Sequence, residues 1–318
     1  MTEPYLIGLV GARGHAGAEL LHIIARHPRL MLAFAVSREW AGRKVSDISP
    51  DIVDESLFEA IDPAEAAARR SDAVILAMPD GAAAPYVEAI NKTAPDKIVI
   101  DLSADYRFDD KWVYGLPELF RQRIGGARRI ANPGCYATAM ELAIAPMLPH
   151  LSEPPSVFGV SGYSGAGTTP GPRNDIERLN DNLMPYALVG HKHEREAARH
   201  LGTAVRFTPH VLPAFRGLLV TAHLPLTDPM SAADVKDLYA KVYKDEPLIA
   251  LQDAPPELKE TAGKPGALIG GFAVAEGGGH AVVIAGLDNL LKGAAVQAVQ
   301  NLNLALGIEE FAGIVTSE

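Results

Sequence analysis

The apolar run Tyr5 to Val10 stops in Gly11-Ala12-Arg13-Gly14-His15-Ala16-Gly17 and is followed by the helix-forming stretch Ala18 to Ile24. Strand, glycine loop and helix in that order oblige the chain to open with a βα unit whose backbone closely approaches whatever the loop faces. Glycines at 8, 11, 14 and 17 are spaced by three, unlike the usual G-x-G-x-x-G. The physics is shared: bare amides at a helix amino terminus stabilise a pyrophosphate. Gly11, Arg13, Gly14, His15, Ala16 and Gly17 are therefore the candidate cofactor loop, the plain alternative being a tight turn with no ligand.

A second apolar run, Met31 to Val36, ends in Ser37-Arg38-Glu39, about 20 residues past the loop. An acidic residue there binds a ribose 2′-hydroxyl and an arginine accommodates a 2′-phosphate, so Ser37 and Arg38 favour NADP while Glu39 pulls the other way. Helix from Pro63 to Arg70, strand Ala73 to Met78, helix Gly81 to Asn91 and strand Ile98 to Leu102 continue the alternation, which predicts a parallel sheet covered on both faces.

The chain's one cysteine lies in Asn132-Pro133-Gly134-Cys135-Tyr136-Ala137-Thr138, where a short strand turns into the helix-forming run Ala137 to Ala145. At a helix amino end the macrodipole favours a thiolate, and the amides there suit an oxyanion. A buried, inert cysteine is the other reading. After it, Val157 to Ser161 leads into a glycine-rich loop, Gly162 to Gly171, and strands at Ala204 to Thr208, Gly217 to Leu224, Leu268 to Ala275 and Ala281 to Leu287 include a hairpin turning at Glu276 to His280. Ser231 to Tyr243 reads as a capped amphipathic helix and Asn289 to Leu306 as one long helix. The fold class is α/β: a Rossmann-type parallel-sheet NAD(P)-binding domain over 1–134 and 288–318, and an α+β catalytic and dimerisation domain with a mostly antiparallel sheet over 135–287.

Gly190-His191-Lys192-His193-Glu194-Arg195-Glu196 is the densest titratable cluster. Two histidines spaced by two, with no cysteine or third ligand, do not make a zinc site. On a helix Glu196 shares a face with His193 and suits an orienting carboxylate; a solvated helix start is the alternative. Arg107 and Arg216 are candidate clamps for a carboxylate or phosphate.

Hydrophobic content of 48% with 21% charged residues fits a globular enzyme, and a net charge of -10 argues against a nucleic-acid or anionic-membrane surface. One cysteine excludes an intrachain disulfide, no apolar stretch is long enough to span a bilayer and Met1 to Tyr5 is no secretory signal, so cytoplasm is the expected location.

From Gly8 to the carboxyl-terminal helix the chain resembles the N-acetyl-γ-glutamyl-phosphate reductases of arginine biosynthesis, within the wider aspartate-semialdehyde dehydrogenase group. The motifs that carry the resemblance are DLSADYRF (101–108), YGLPE (114–118), NPGCYAT (132–138), SGYSGAG (161–167), GHKHEREA (190–197), PHVLPAFRG (209–217) and GLDNLLKGAA (286–295). The glycine loop departs from the family's usual G-A-[ST]-G-Y-x-G at Arg13 and His15, and Lys192 stands where an arginine is usual between the histidines. The resemblance implies NADPH-dependent reduction of a small-molecule acyl phosphate through a Cys135 thioester, and a homodimer or homotetramer. It implies an acid/base from the histidine pair, with His193 favoured and His191 a close second. It also implies substrate contacts at Arg107, Ser161 and Arg216, and Asn289 approaching the nicotinamide. Aspartyl or carrier-protein-linked aminoadipyl or glutamyl phosphates are the rival substrates, and a nucleotide sensor without catalysis the rival class. No metal, nucleic acid or membrane is expected.

Overall fold

The computed structural model describes residues 3–48, 52 and 55–314. They form two compact units: one runs to Pro133 and resumes at Ala294, and the other is Gly134–Gly293.

The first unit holds β1 (Tyr5–Val10), α1 (His15–Arg26), β2 (Leu30–Val36), β3 (Phe58–Glu59), α2 (Pro63–Ala68), β4 (Ala73–Leu76), α3 (Ala84–Thr93), β5 (Ile98–Asp101), β6 (Val113–Tyr114), α4 (Pro117–Ile124) and β7 (Arg129–Ala131). Its seven strands lie in the order β3-β2-β1-β4-β5-β7-β6. Every pairing is parallel. Parallel strands require crossovers, and α1, α2, α3 and α4 lie in those after β1, β3, β4 and β6. Strands β4 and β5 are buried along their whole length, as expected of a sheet covered on both faces. The two-residue strands β3 and β6 are too short for periodicity to reveal.

The second unit holds α5 (Cys135–Ile144), β8 (Ser156–Gly162), α6 (Ile176–Leu179), β9 (Met184–Pro185), α7 (Lys192–Leu201), β10 (Arg206–Leu212), β11 (Leu218–Pro225), α8 (Ala232–Val242), β12 (Ile249–Gln252), α9 (Leu258–Thr261), β13 (Ala267–Val274) and β14 (His280–Leu287). Its sheet order is β12-β13-β14-β11-β8-β10-β9. The β9–β10, β8–β11, β11–β14 and β13–β14 pairs are antiparallel; β12–β13 and β8–β10 are parallel. The β13–β14 hairpin closes at the expected turn, where the Ala275 N–H donates to His280 O at 2.9 Å. Ser231 caps α8 in a reciprocal box with Asp234.

Helix α5 lies on this sheet with every residue after Cys135 buried. Met140, Leu142, Ala143 and Ile144 share a core with Val220, Ala222, Val283 and Ala285. The Tyr239 and Tyr243 hydroxyls donate to the Ala143 and Leu142 carbonyls, satisfying acceptors that a helix end leaves open.

The long final helix expected from Asn289 is interrupted. Leu291–Ala295 is a π-turn, and α10 (Val296–Leu306), which belongs to the first unit, begins only after it. The cause is local: the Asp288 carboxylate accepts the Leu290 and Leu291 N–H groups, and Gly293 N–H donates to Asp288 O at 2.9 Å. Such a five-residue bond is the mark of a π-bulge.

Candidate active site

Cys135 is the first residue of α5 and is partly exposed, while the N-cap, Gly134, has no side chain with which to close the helix end. The end of α5 is thus open to negative charge at the position of the thiol. Gly134 N–H donates to Glu196 Oε1 at 2.8 Å, and Glu196 is fully buried. The carboxylate of α7 thereby fixes the turn that presents Cys135. On another side, a Cβ built on Gly293 would lie 2.6 Å from the Cys135 Cβ, so only glycine lets the π-turn pack against Cys135.

His191 is the N-cap of α7, its Nδ1 accepting the His193 N–H at 3.1 Å. That bond assigns the proton of neutral His191 to Nε2. Burial, then the charges of Lys192, Arg173 and Arg195, push its pKa down to about 4, so it is neutral at pH 7. The two imidazoles stand nearly perpendicular, 4.9 Å between centroids, and the Tyr136 ring is 6.3 Å from His191 and 6.2 Å from His193. Tyr136, adjoining Cys135 on α5, is fixed by its hydroxyl, which donates to His210 O at 2.8 Å. Burial raises its pKa well above the ordinary phenol value.

Arg216 reaches Asp288 Oδ2 at 3.4 Å and remains a quarter exposed; Asp288 is fully buried and also accepts the Gly263 N–H. Asn289 accepts the Gly217 N–H at 2.9 Å and donates to Ser164 Oγ at 2.8 Å. The structure therefore places Asn289 in the second unit, tying the loops after β8 and before β11. Ser161 is buried and donates to Gly162 O at 3.1 Å. Gly162 permits that corner, because a Cβ there would lie 2.6 Å from Phe215 O.

In the first unit Gly11 has φ +80°, and a Cβ on it would sit 2.2 Å from Ala77 O; one on Gly17 would sit 2.4 Å from Gly11 O. Gly14 is the N-cap of α1, with no side chain capping the helix and no acidic residue in its first turn. The Gly11 and Gly14 N–H groups are used within the unit, donating to Val36 O and Gly11 O, so it is the start of α1, with no capping side chain and no acidic residue in its first turn, that fits the pyrophosphate of a dinucleotide. Arg13 pairs with Glu39 at 3.0 Å, offsetting the one carboxylate beside Ser37 and the exposed Arg38. Arg107 is buried in the same unit, donating from Nε to Asn132 O at 2.9 Å and from a terminal nitrogen to Leu102 O at 2.7 Å. Asn132 N–H in turn donates to Asp101 O, and its side chain engages Asn301 and Ala294 O.

Residues 6–127 match the family described as semialdehyde dehydrogenase, NAD binding domain, and residues 135–289 match semialdehyde dehydrogenase, dimerisation domain. Proteins named N-acetyl-gamma-glutamyl-phosphate reductase from Stenotrophomonas maltophilia and Xylella fastidiosa are 54% and 53% identical to the chain, over 98% of it and 98% and 96% of their own lengths. The chain belongs to the N-acetyl-γ-glutamyl-phosphate reductase family. Its fold is also that of the aspartate semialdehyde dehydrogenase II from Vibrio cholerae (TM-score 0.76, 18% identity, covering 96% of this chain and 99% of that one). The Candida albicans aspartate semialdehyde dehydrogenase with NADP is similar too (TM-score 0.73, 14% identity, covering 95% and 99%).

Among the residues singled out in the sequence, this reductase-family chain brings Cys135, His191, His193, Glu196, Ser161, Arg216 and Asn289 into one unit, and the glycine loop, Ser37, Arg38 and Arg107 into the other. Sequence reasoning passed over Gly293, although it lies inside the GLDNLLKGAA motif, and Asp288, whose role emerges only from its three backbone donors. Among the described residues no group of three or more His, Cys, Asp or Glu could hold a metal ion, and no helix is long and apolar enough to cross a membrane.

Proposed function

We infer that this protein reduces N-acetyl-L-glutamyl 5-phosphate to N-acetyl-L-glutamate 5-semialdehyde with NADPH, through a thioester on Cys135, in arginine biosynthesis. The observation that carries the reading is Cys135 at the uncapped start of α5, with its turn held by buried Glu196 and the histidine pair at the adjoining Tyr136. The first unit binds the dinucleotide and the second carries substrate and acyl enzyme. Arg38 beside Ser37, with Glu39 neutralised by Arg13, supports NADP over NAD. The match of the second unit to a dimerisation domain supports a homo-oligomer, and a biosynthetic reductase of this kind works in the cytoplasm.

The thiolate of Cys135 attacks the acyl carbonyl; a C–S bond forms, the C–O bond to phosphate breaks and phosphate leaves with its electron pair. Amides at the start of α5 receive the oxyanion of the tetrahedral intermediate. Bound NADPH supplies the hydride. His193 donates a proton to the thiohemiacetal oxygen and takes it back as the C–S bond breaks, releasing aldehyde and restoring the thiolate. His193 suits this task better than His191. The latter spends Nδ1 on the helix cap and stays neutral, which leaves it a fixed Nε2 hydrogen-bond donor. Arg107, Ser161 and Arg216 are the proposed substrate contacts, and Asn289 holds the loops that line the second unit's site.

The reverse reaction tests the assignment. Given phosphate, NADP and N-acetyl-glutamate semialdehyde, the protein is expected to form NADPH in a phosphate-dependent way, and not with aspartate semialdehyde. NADPH formation from aspartate semialdehyde alone would overturn the substrate assignment.

A further inference from the structure

The glycine-rich loop after β8 carries an arginine that neither clamp accounts for. Asn174 pins that loop: it accepts the Gly171 N–H at 2.8 Å and donates to Gly167 O at 2.9 Å and Thr169 O at 2.8 Å. The loop therefore has a fixed shape around Arg173. The exposed Arg173 guanidinium lies 4.9 Å from the centroid of the Tyr186 ring. Tyr186 in turn is 5.6 Å from His191, whose ring is 6.3 Å from that of Tyr136. Arg173 is thus one aromatic ring away from the histidine pair and from the residue next to Cys135.

Arg107 of the first unit and Arg216 and Arg173 of the second differ in what they have left to give. Arg107 donates to two backbone carbonyls and Arg216 faces Asp288. Arg173 has no carboxylate partner among the described residues. The electrostatic surroundings agree. Burial followed by the charge of Cys135 raises the Tyr186 pKa to about 12, while Arg173 contributes to holding His191 neutral. Tyr186 registers both the thiol and the cation, and His191 registers the cation.

We propose that Arg173 is a specificity-determining residue of this site, stacked on Tyr186 so that its guanidinium receives an oxyanion of the incoming acyl-phosphate substrate, either phosphate or carboxylate. Stacking on an aromatic face leaves the edge donors of a guanidinium free for two-point contact with an oxyanion. The identity of that anion rests on the reductase reading; the placement of the charge does not.

Two measurements test it. Cys135 is the one thiol in the chain, so alkylation reports on it alone. In the wild-type protein iodoacetate should be favoured relative to iodoacetamide, and Arg173→Gln should lower that ratio about fivefold, with Arg173→Lys between the two. In the reverse assay phosphate and the semialdehyde are separate substrates. Arg173→Gln should raise KM for one of them about tenfold with kcat nearly unchanged. A rise for phosphate assigns Arg173 to the phosphoryl group, and a rise for the aldehyde assigns it to the carboxylate. An unchanged reagent ratio, or two unmoved KM values in an active enzyme, overturns the proposal. If the wild type shows no phosphate-dependent turnover, the reductase reading fails separately, and the reagent ratio alone decides whether Arg173 supplies anion-binding charge at the thiol.

Discussion

Three neighbours shape the surroundings of Cys135: Gly134 leaves the helix end open, Glu196 holds the Gly134 amide, and Gly293 makes room. Cys135→Ser should lower turnover by about a thousandfold or more with NADPH binding intact, since the cofactor loop lies in the other unit. Steady-state rates beside fluorescence titration of NADPH check this. His193→Gln should cost about 10²–10⁴-fold in kcat, whereas His191→Asn, which keeps a cap acceptor, should cost much less. That the cysteine and both histidines share a unit fits their grouping in the sequence, where residue type singles them out as candidates. The cap bond and burial that distinguish His191 from His193 leave no trace in spacing.

At the scale of elements, the π-turn of the second unit and the glycine loop of the first are places where backbone, not side chain, sets the local geometry. A methyl group on Gly293 cannot be accommodated without displacing Cys135 or the turn. Gly293→Ala should therefore lower kcat by about a hundredfold, the scale of loss for a displaced catalytic group, with the NADPH dissociation constant little changed. Gly11→Ala should do the opposite, weakening NADPH binding because φ +80° and the nearby Ala77 carbonyl leave no place for a Cβ. The longer strands of the first sheet, β1, β2, β4 and β5, were readable because each is a largely apolar run. The strands β3, β6 and β9 were not, being two residues long and held by pairing with neighbours rather than by pattern. The final helix was misread across 291–295, because good helix formers there are overruled by Asp288 capturing the first amides.

At the scale of the molecule, two buried groups make stability depend on pH in opposite directions. Asp101 is fully buried, and desolvation, only partly offset by its bonds to Ser103 and the nearby Arg107, raises its pKa from 3.8 to about 6. The folded first unit thus binds a proton that the unfolded chain releases, so this contribution is complete below pH 3.8 and is lost as pH rises through about 6. His191 is shifted from 6.5 down to about 4, so the unfolded chain takes up a proton that the folded second unit refuses, and stability falls as pH drops from 6.5 towards 4. Each effect amounts to roughly 3 kcal/mol. Thermal unfolding followed from pH 7 to 4 should show that Asp101→Asn removes a gain in acid and His191→Asn removes a loss. Parallel profiles for both variants and the wild type would contradict these assignments.

Passage of the acyl group through Cys135 can be read by mass spectrometry of the protein and its peptides. The protein is mixed with N-acetyl-L-glutamyl 5-phosphate in the absence of NADPH, then quenched in acid and digested. A thioester route gives one N-acetylglutamyl group per chain, located on the peptide containing Cys135, with one phosphate released for each group and the label lost when NADPH is added before quenching. Phosphate release and NADPH-dependent turnover by a protein that never carries the acyl group on Cys135 would contradict it.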